Sequence, residues 1–129
     1  MSAVEIRMTG PLFDGTAERA IRRACDDARD SIAEFAEEHA LSLMGANFRN
    51  PTGYYESRVE TTRVSADTSL VHDNGVVYGP WLEGVGSRNR PRPGFPGYHH
   101  WRQTKTLVAA RGPMIADRAV QRHLPEMRG

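Results

Sequence analysis

Between Asp14 and Gly45 the apolar residues Ala17, Ile21, Ala24, Ala28, Ile32, Phe35 and Leu43 recur at three- and four-residue steps, with His39 on the same stripe. That spacing predicts a single helix of about 28 residues, a large share of one small chain. Asp14-Gly15-Thr16 offers N-capping oxygens ahead of it, and Gly45 suits its C-terminal stop. Glu18, Asp26, Asp27, Asp30, Glu34, Glu37 and Glu38 lie largely on the other faces, interleaved with Arg22, Arg23 and Arg29. A solvated face with local ion pairs accounts for them. The alanine-rich stripe permits close packing against a sheet, and Cys25 is expected to pack there as a small buried residue.

The rest of the chain reads mainly as strands and turns. Val4, Ile6 and Met8 alternate with Glu5, Arg7 and Thr9, the period-2 signature of a short half-buried strand. Asn47-Phe48-Arg49-Asn50-Pro51-Thr52-Gly53 is turn chemistry opening a second strand over residues 54–64. A shorter strand over 69–72 meets Asp73-Asn74-Gly75, a strong hairpin signal, with 76–78 as the return strand. Residues 99–111 suit a helix that Gly112-Pro113 breaks or kinks before it resumes over 114–124. The predicted fold is α+β: a small antiparallel sheet of three to four strands packed by a long N-terminal helix and a C-terminal helix. Residues 1–129 form one domain, with an extended interaction loop at 84–98.

Composition excludes several classes. A hydrophobic share of 39% is too high for a fully disordered chain. No apolar run approaches the ~18 residues of a membrane span, so no membrane partner is expected. One cysteine leaves neither an internal disulfide nor a cysteine-based metal cage. A net charge of +1 exerts no global pull toward nucleic acid. The basic residues are lopsided, sixteen arginines to the single Lys105. GC-rich codon usage explains that, as does selection for planar, multi-donor contacts at interfaces.

Catalytic constellations are lacking. His99 and His100 diverge by about 100° on a helix and cannot chelate one metal from one face. His39 with Glu38 and Glu34 has no second histidine at i±4. His72, Asp73 and His100 could be read as a hydrolase site, but no nucleophile in a strained turn accompanies them. No enzyme activity, metal or cofactor is therefore expected. The segment Tyr78-Gly79-Pro80-Trp81-Leu82-Glu83-Gly84-Val85-Gly86-Ser87 reads instead as a strand entering a glycine-studded loop built for contact. Gly84, Gly86 and Gly97 give the loop its hinges. Trp81, Phe95, Tyr98 and Trp101 are the candidate anchors, since aromatics and arginines dominate interfaces. Glu83, where partly buried, needs a partner, with arginine the expected one. Arg88, Arg90 and Arg92 alternate along a proline-stiffened stretch suited to carboxylates across an interface. The alternative is a small nucleic-acid-binding module using the same 88–92 loop.

The run from Tyr78 through Glu83 and Gly84-Val85-Gly86-Ser87-Arg88-Asn89, followed by Gly97-Tyr98-His99-His100-Trp101-Arg102, resembles the neck-protein family of long-tailed bacteriophages. Members are called tail-completion, head-to-tail connector or minor tail proteins. Asn50-Pro51-Thr52-Gly53-Tyr54-Tyr55 resembles the versions found in phages of actinobacteria. Two residues, Gly84 and Val85, separate Glu83 from Gly86, one more than in the commoner form. The resemblance implies a non-catalytic virion protein, assembled in the bacterial cytoplasm into a hexameric or twelvefold ring. Its partners would be itself and neighbouring neck and tail-tube proteins, with DNA passing through the lumen.

Overall fold

A computed structural model describes residues 3–7, 10, 14–48, 53–85 and 95–128. The elements run α1 (Thr16–Asn47), α2 (Tyr54–Ser57), β1 (Glu60–Arg63), β2 (Ser69–His72), α3 (Gly79–Glu83) and α4 (His100–Arg128). Long helices thus stand near both ends of the described chain, and the sheet between them is two-stranded and antiparallel. Glu60 pairs with His72, Thr61 with Val71, Thr62 with Leu70 and Arg63 with Ser69.

α1 begins where expected: the Thr16 amide donates to Asp14 Oδ1 at 2.9 Å, and Gly15 takes φ 85°. It runs two residues past Gly45, and the Phe48 amide closes its last turn on the Met44 carbonyl. Gly45 has no positive φ and does not stop the helix. The buried face is Ala17, Ala20, Ala24, Ala33, Ala36, Ala40 and Met44. Only Ala17 and Ala24 belong to the predicted stripe, and Ile21 is 51% exposed. The difference follows from the partner. α1 lies chiefly along α4 and touches the sheet more lightly. Close approach of two helices selects small residues at the seam and leaves larger ones beside it. Cys25 falls outside that seam and is exposed.

α4 is continuous, with Pro113 and Pro125 inside it. The predicted break fails because Pro113 is exposed, so the carbonyl its missing N–H would have bound faces solvent. Gly112 is buried against Ile32, whose Cδ1 an added Cβ would meet at 3.9 Å, ordinary van der Waals contact. The two helices run antiparallel. Arg122 forks onto Asp27 (Nη2 to Oδ1 and Oδ2, both 3.0 Å), and His123 Nε2 lies 3.1 Å from the same carboxylate. Arg23 pairs with Glu126 beside them. The acidic run of α1 is therefore only partly a solvated face. Arg29 does pair locally with Asp26 and Asp30, at 2.9 Å each.

Two predicted strands have other structures, and the predicted 54–64 strand is shortened to β1, Glu60–Arg63. Residues 3–7 form no strand: Val4 is 89% and Ile6 83% exposed, and alternation without a ladder partner leaves the backbone unpaired. Residues 54–57 form the helical turn α2, which follows Gly53 at φ 83° and directs Tyr55 into the core. Residues 76–78 form a turn into α3. Asn74 and Gly75 take the positive φ values, 58° and 69°, that a type I′ hairpin turn demands. The chain leaves β2 there regardless, because Pro80 favours the start of a helix and cannot donate to a ladder.

The main cluster, Ala40, Met44, Tyr55 and Val59, is flanked by Leu41, Phe48, Val71, Val76, Leu82 and Trp101. It sits where the C-terminal end of α1, the sheet, α3 and the first turn of α4 converge. No described helix is long and apolar enough to cross a membrane.

Candidate interaction site

Glu83 organises this end of the molecule. It is the last residue of α3, and its side chain is only 12% exposed. Among the described residues its carboxylate meets no arginine side chain. Oε1 accepts from the Trp101 amide at 2.8 Å and Oε2 from the Arg102 amide at 2.9 Å. These are orphan donors of the first turn of α4, so one acidic side chain caps a helix that begins 17 residues later. A charge-assisted bond of this kind contributes on the order of 1.5–3 kcal/mol.

The backbone closes around the same point. Tyr98 N donates to Leu82 O at 2.6 Å and His99 N to Glu83 O at 3.2 Å. Gly84 (φ 102°) and Gly97 (φ 96°) lie against each other. A Cβ at Gly84 would come within 2.7 Å of His99 Cε1, and one at Gly97 would overlap the Gly84 backbone. The two ends of the 84–98 segment are thereby clamped together, and these glycines act as a closed base. Arg88, Arg90, Arg92 and the hinge assigned to Gly86 lie outside the described residues.

An aromatic chain links the surface to the core. Trp81, 38% exposed, packs on Phe95 with ring centroids 4.6 Å apart. Phe95 meets Tyr98 edge-on at 4.9 Å, Tyr98 meets Phe48 at 4.8 Å, and Phe48 meets Tyr55 at 5.9 Å. Trp81, Phe95 and Tyr98 are thus brought together as one group. Trp101 stands apart from them, half-buried against the core, where its indole N–H donates to Tyr55 Oη at 3.0 Å. That hydroxyl in turn donates to Asp73 Oδ2 at 2.8 Å, and burial pushes the phenol's pKa well upward.

The chain has no match among known protein families, characterised proteins or solved structures.

Several participants had no linear signal. Tyr55 and Asp73 look like strand and turn residues in sequence, and their bond spans 18 positions. His100 is 1% exposed and ringed by Phe48, Tyr55 and Trp101, with neither ring nitrogen bonded. Burial lowers its pKa, opposed by the charges of Glu83 and Asp73, and His99 lowers it further. No group of three or more metal-ligating side chains exists among the described residues. Beside this knot runs an open groove of about 550 Å³, walled by β2, the turn after it, α3 and the first turns of α4. Leu70, Val77 and Val85 line it and are 52%, 95% and 67% exposed.

Proposed function

We propose that this chain is a structural virion protein of a long-tailed bacteriophage, joining or completing the tail at the neck as part of an oligomeric ring. The observation that carries the reading is the meeting of the two separated halves of the neck-protein-like motif. Residues 78–85 and 97–102 are joined by the Glu83 cap and the Gly84–Gly97 contact. Glu83, Gly84, Gly97 and Trp101 there each hold another segment of chain. The Glu83 carboxylate is consumed by two backbone amides, which leaves it no role as an acid or base. An architecture that spends its polar groups on clamping a loop suits a part that docks against neighbours. In the virion the 84–98 segment would meet adjacent subunits, with Trp81, Phe95 and Tyr98 at its root and Arg88, Arg90 and Arg92 along it.

The test exchanges residues 87–93 for a glycine-serine linker of equal length, which keeps Gly84, Val85 and the 95–98 return. The exchanged protein is expected to keep the wild-type far-ultraviolet circular dichroism. Mass spectrometry of purified particles should find it missing from virions that incorporate the wild-type chain. Incorporation at wild-type levels would overturn the assignment of the loop to assembly.

A further inference from the structure

Two adjacent histidines close the base of the 84–98 segment. His99 Nδ1 and both ring nitrogens of His100 are buried with no hydrogen-bond partner among the described residues. His99 takes φ 56°, a left-handed conformation that a residue with a Cβ adopts at a cost. Its Cε1 stands 2.7 Å from where a Cβ at Gly84 would lie, so the ring edge rests against the Gly84 backbone. His100 is 1% exposed, and its Nδ1 is 3.8 Å from Glu83 Oε1. That oxygen is the one that accepts from the Trp101 amide.

We propose that this base is an acid-opened latch. A proton on His100 draws the Glu83 carboxylate from the amides of α4 and lets the two ends of the segment part. The inference concerns how those ends are held, whatever the segment meets, and so stands apart from the ring reading.

Protonated, His100 carries two N–H donors and a charge into a nest of Phe48, Tyr55 and Trp101 rings, where neither donor has an acceptor. The groups around it leave one way to relieve that. Tyr55, from α2, has its hydroxyl committed, accepting from Trp101 and donating to Asp73. Asp73, in the turn after β2, spends its two oxygens on that hydroxyl and on the Gly75 amide. Phe48, at the end of α1, is apolar. His99 opposes a second positive charge beside it. Glu83, from α3, is the carboxylate in reach, and Oε1 must give up the Trp101 amide to bond the imidazolium. α4 then loses part of its cap. The Glu83 carbonyl, which accepts from His99 N at 3.2 Å, moves with its side chain, and His99 is released from its strained conformation. Burial depresses the His100 pKa in the closed base, and exposure returns it toward 6.5. The open form therefore gains on the closed one only below about pH 6.5, by at most about tenfold per pH unit.

The test follows backbone amide exchange by nuclear magnetic resonance on the full chain, corrected for the intrinsic rate at each pH. Between about pH 7.5 and 5 the amides of Tyr98, His99, Trp101 and Arg102 should lose protection by roughly 10-fold, while those in the middle of α1 keep theirs. The loss should set in below about pH 6.5 and level off once the His100 ring has titrated, which its ring-proton shifts report in the same samples. In His100→Leu the four amides should stay protected throughout. A loss shared equally by α1, the same loss in His100→Leu, or steady protection in the wild type would overturn the inference. So would a loss that begins only after the His100 ring has titrated, a comparison that needs no variant to fold.

Discussion

Single side chains at this end of the molecule hold backbone in place, and His100 is the most exacting of them. It sits inside a ring of aromatics with no hydrogen-bond partner, a setting that disfavours the charged imidazole. Glu83 Oε1 lies 3.8 Å from its Nδ1, but that carboxylate is already committed to two amides and offsets the burial only in part. The sign of the effect follows. In the unfolded chain His100 titrates near 6.5, and in the fold its pKa is lower. Between those values the unfolded state holds more protons, so this stabilisation is complete above about pH 6.5 and is lost as pH falls toward the folded value. Urea midpoints at pH 7.5 and 5.5 should therefore differ more for the wild type than for His100→Leu, which has no imidazole to protonate. Equal differences in the two proteins would show that this histidine is not held neutral by its surroundings.

Among the elements, those with strong local signals were legible and those set by distant contacts were not. α1 and α4 follow from their helical patterns, and the Asp14 cap from its own chemistry. The face that α1 buries depended on whether α4 or a sheet covered it, which no local pattern encodes. Residues 54–57 carry strand-favouring tyrosines, yet α2 forms because Tyr55 must reach Asp73 and Trp101, 18 and 46 positions away. The aromatic and glycine content of 78–98 did mark the right region. What it could not reveal was that Glu83 would serve the backbone of α4, since a cap 17 residues removed leaves no linear trace. The closed base of the loop gives this a measurable form. Gly97→Ala would force a Cβ into the Gly84 backbone at φ 96° and should cost at least about 3 kcal/mol. Gly53→Ala has a similar positive φ, 83°, but open space around it, and should cost about 1 kcal/mol. Chemical denaturation of the two variants separates crowding from backbone strain, and similar losses would mean the Gly84–Gly97 contact contributes little.

At the scale of the whole molecule the decisive property is how little large apolar surface the chain encloses. Of the ten buried hydrophobic residues among those described, seven are alanines, and only Met44, Tyr55 and Val59 are larger. Alanine at a helix seam allows close approach but removes little apolar area from water, and each larger side chain contributes roughly 1.5–3 kcal/mol. Meanwhile Val4, Ile6, Val64, Leu70, Val77 and Val85 each stand more than half exposed. A fold with this balance gains stability by mass action when its outer apolar residues meet a second copy. Its melting temperature should then depend on concentration. A 100-fold increase through the association range adds about 2.7 kcal/mol per contact, or roughly 10 °C for a domain of this size. Scanning calorimetry between micromolar and hundred-micromolar chain should register that rise in the wild type. Val4→Asp/Ile6→Asp should show a smaller rise, because it removes two of the most exposed apolar side chains. A melting point independent of concentration in both proteins would mean that the alanine seam, the Asp27 and Glu126 ties and the Glu83 cap suffice for the monomer.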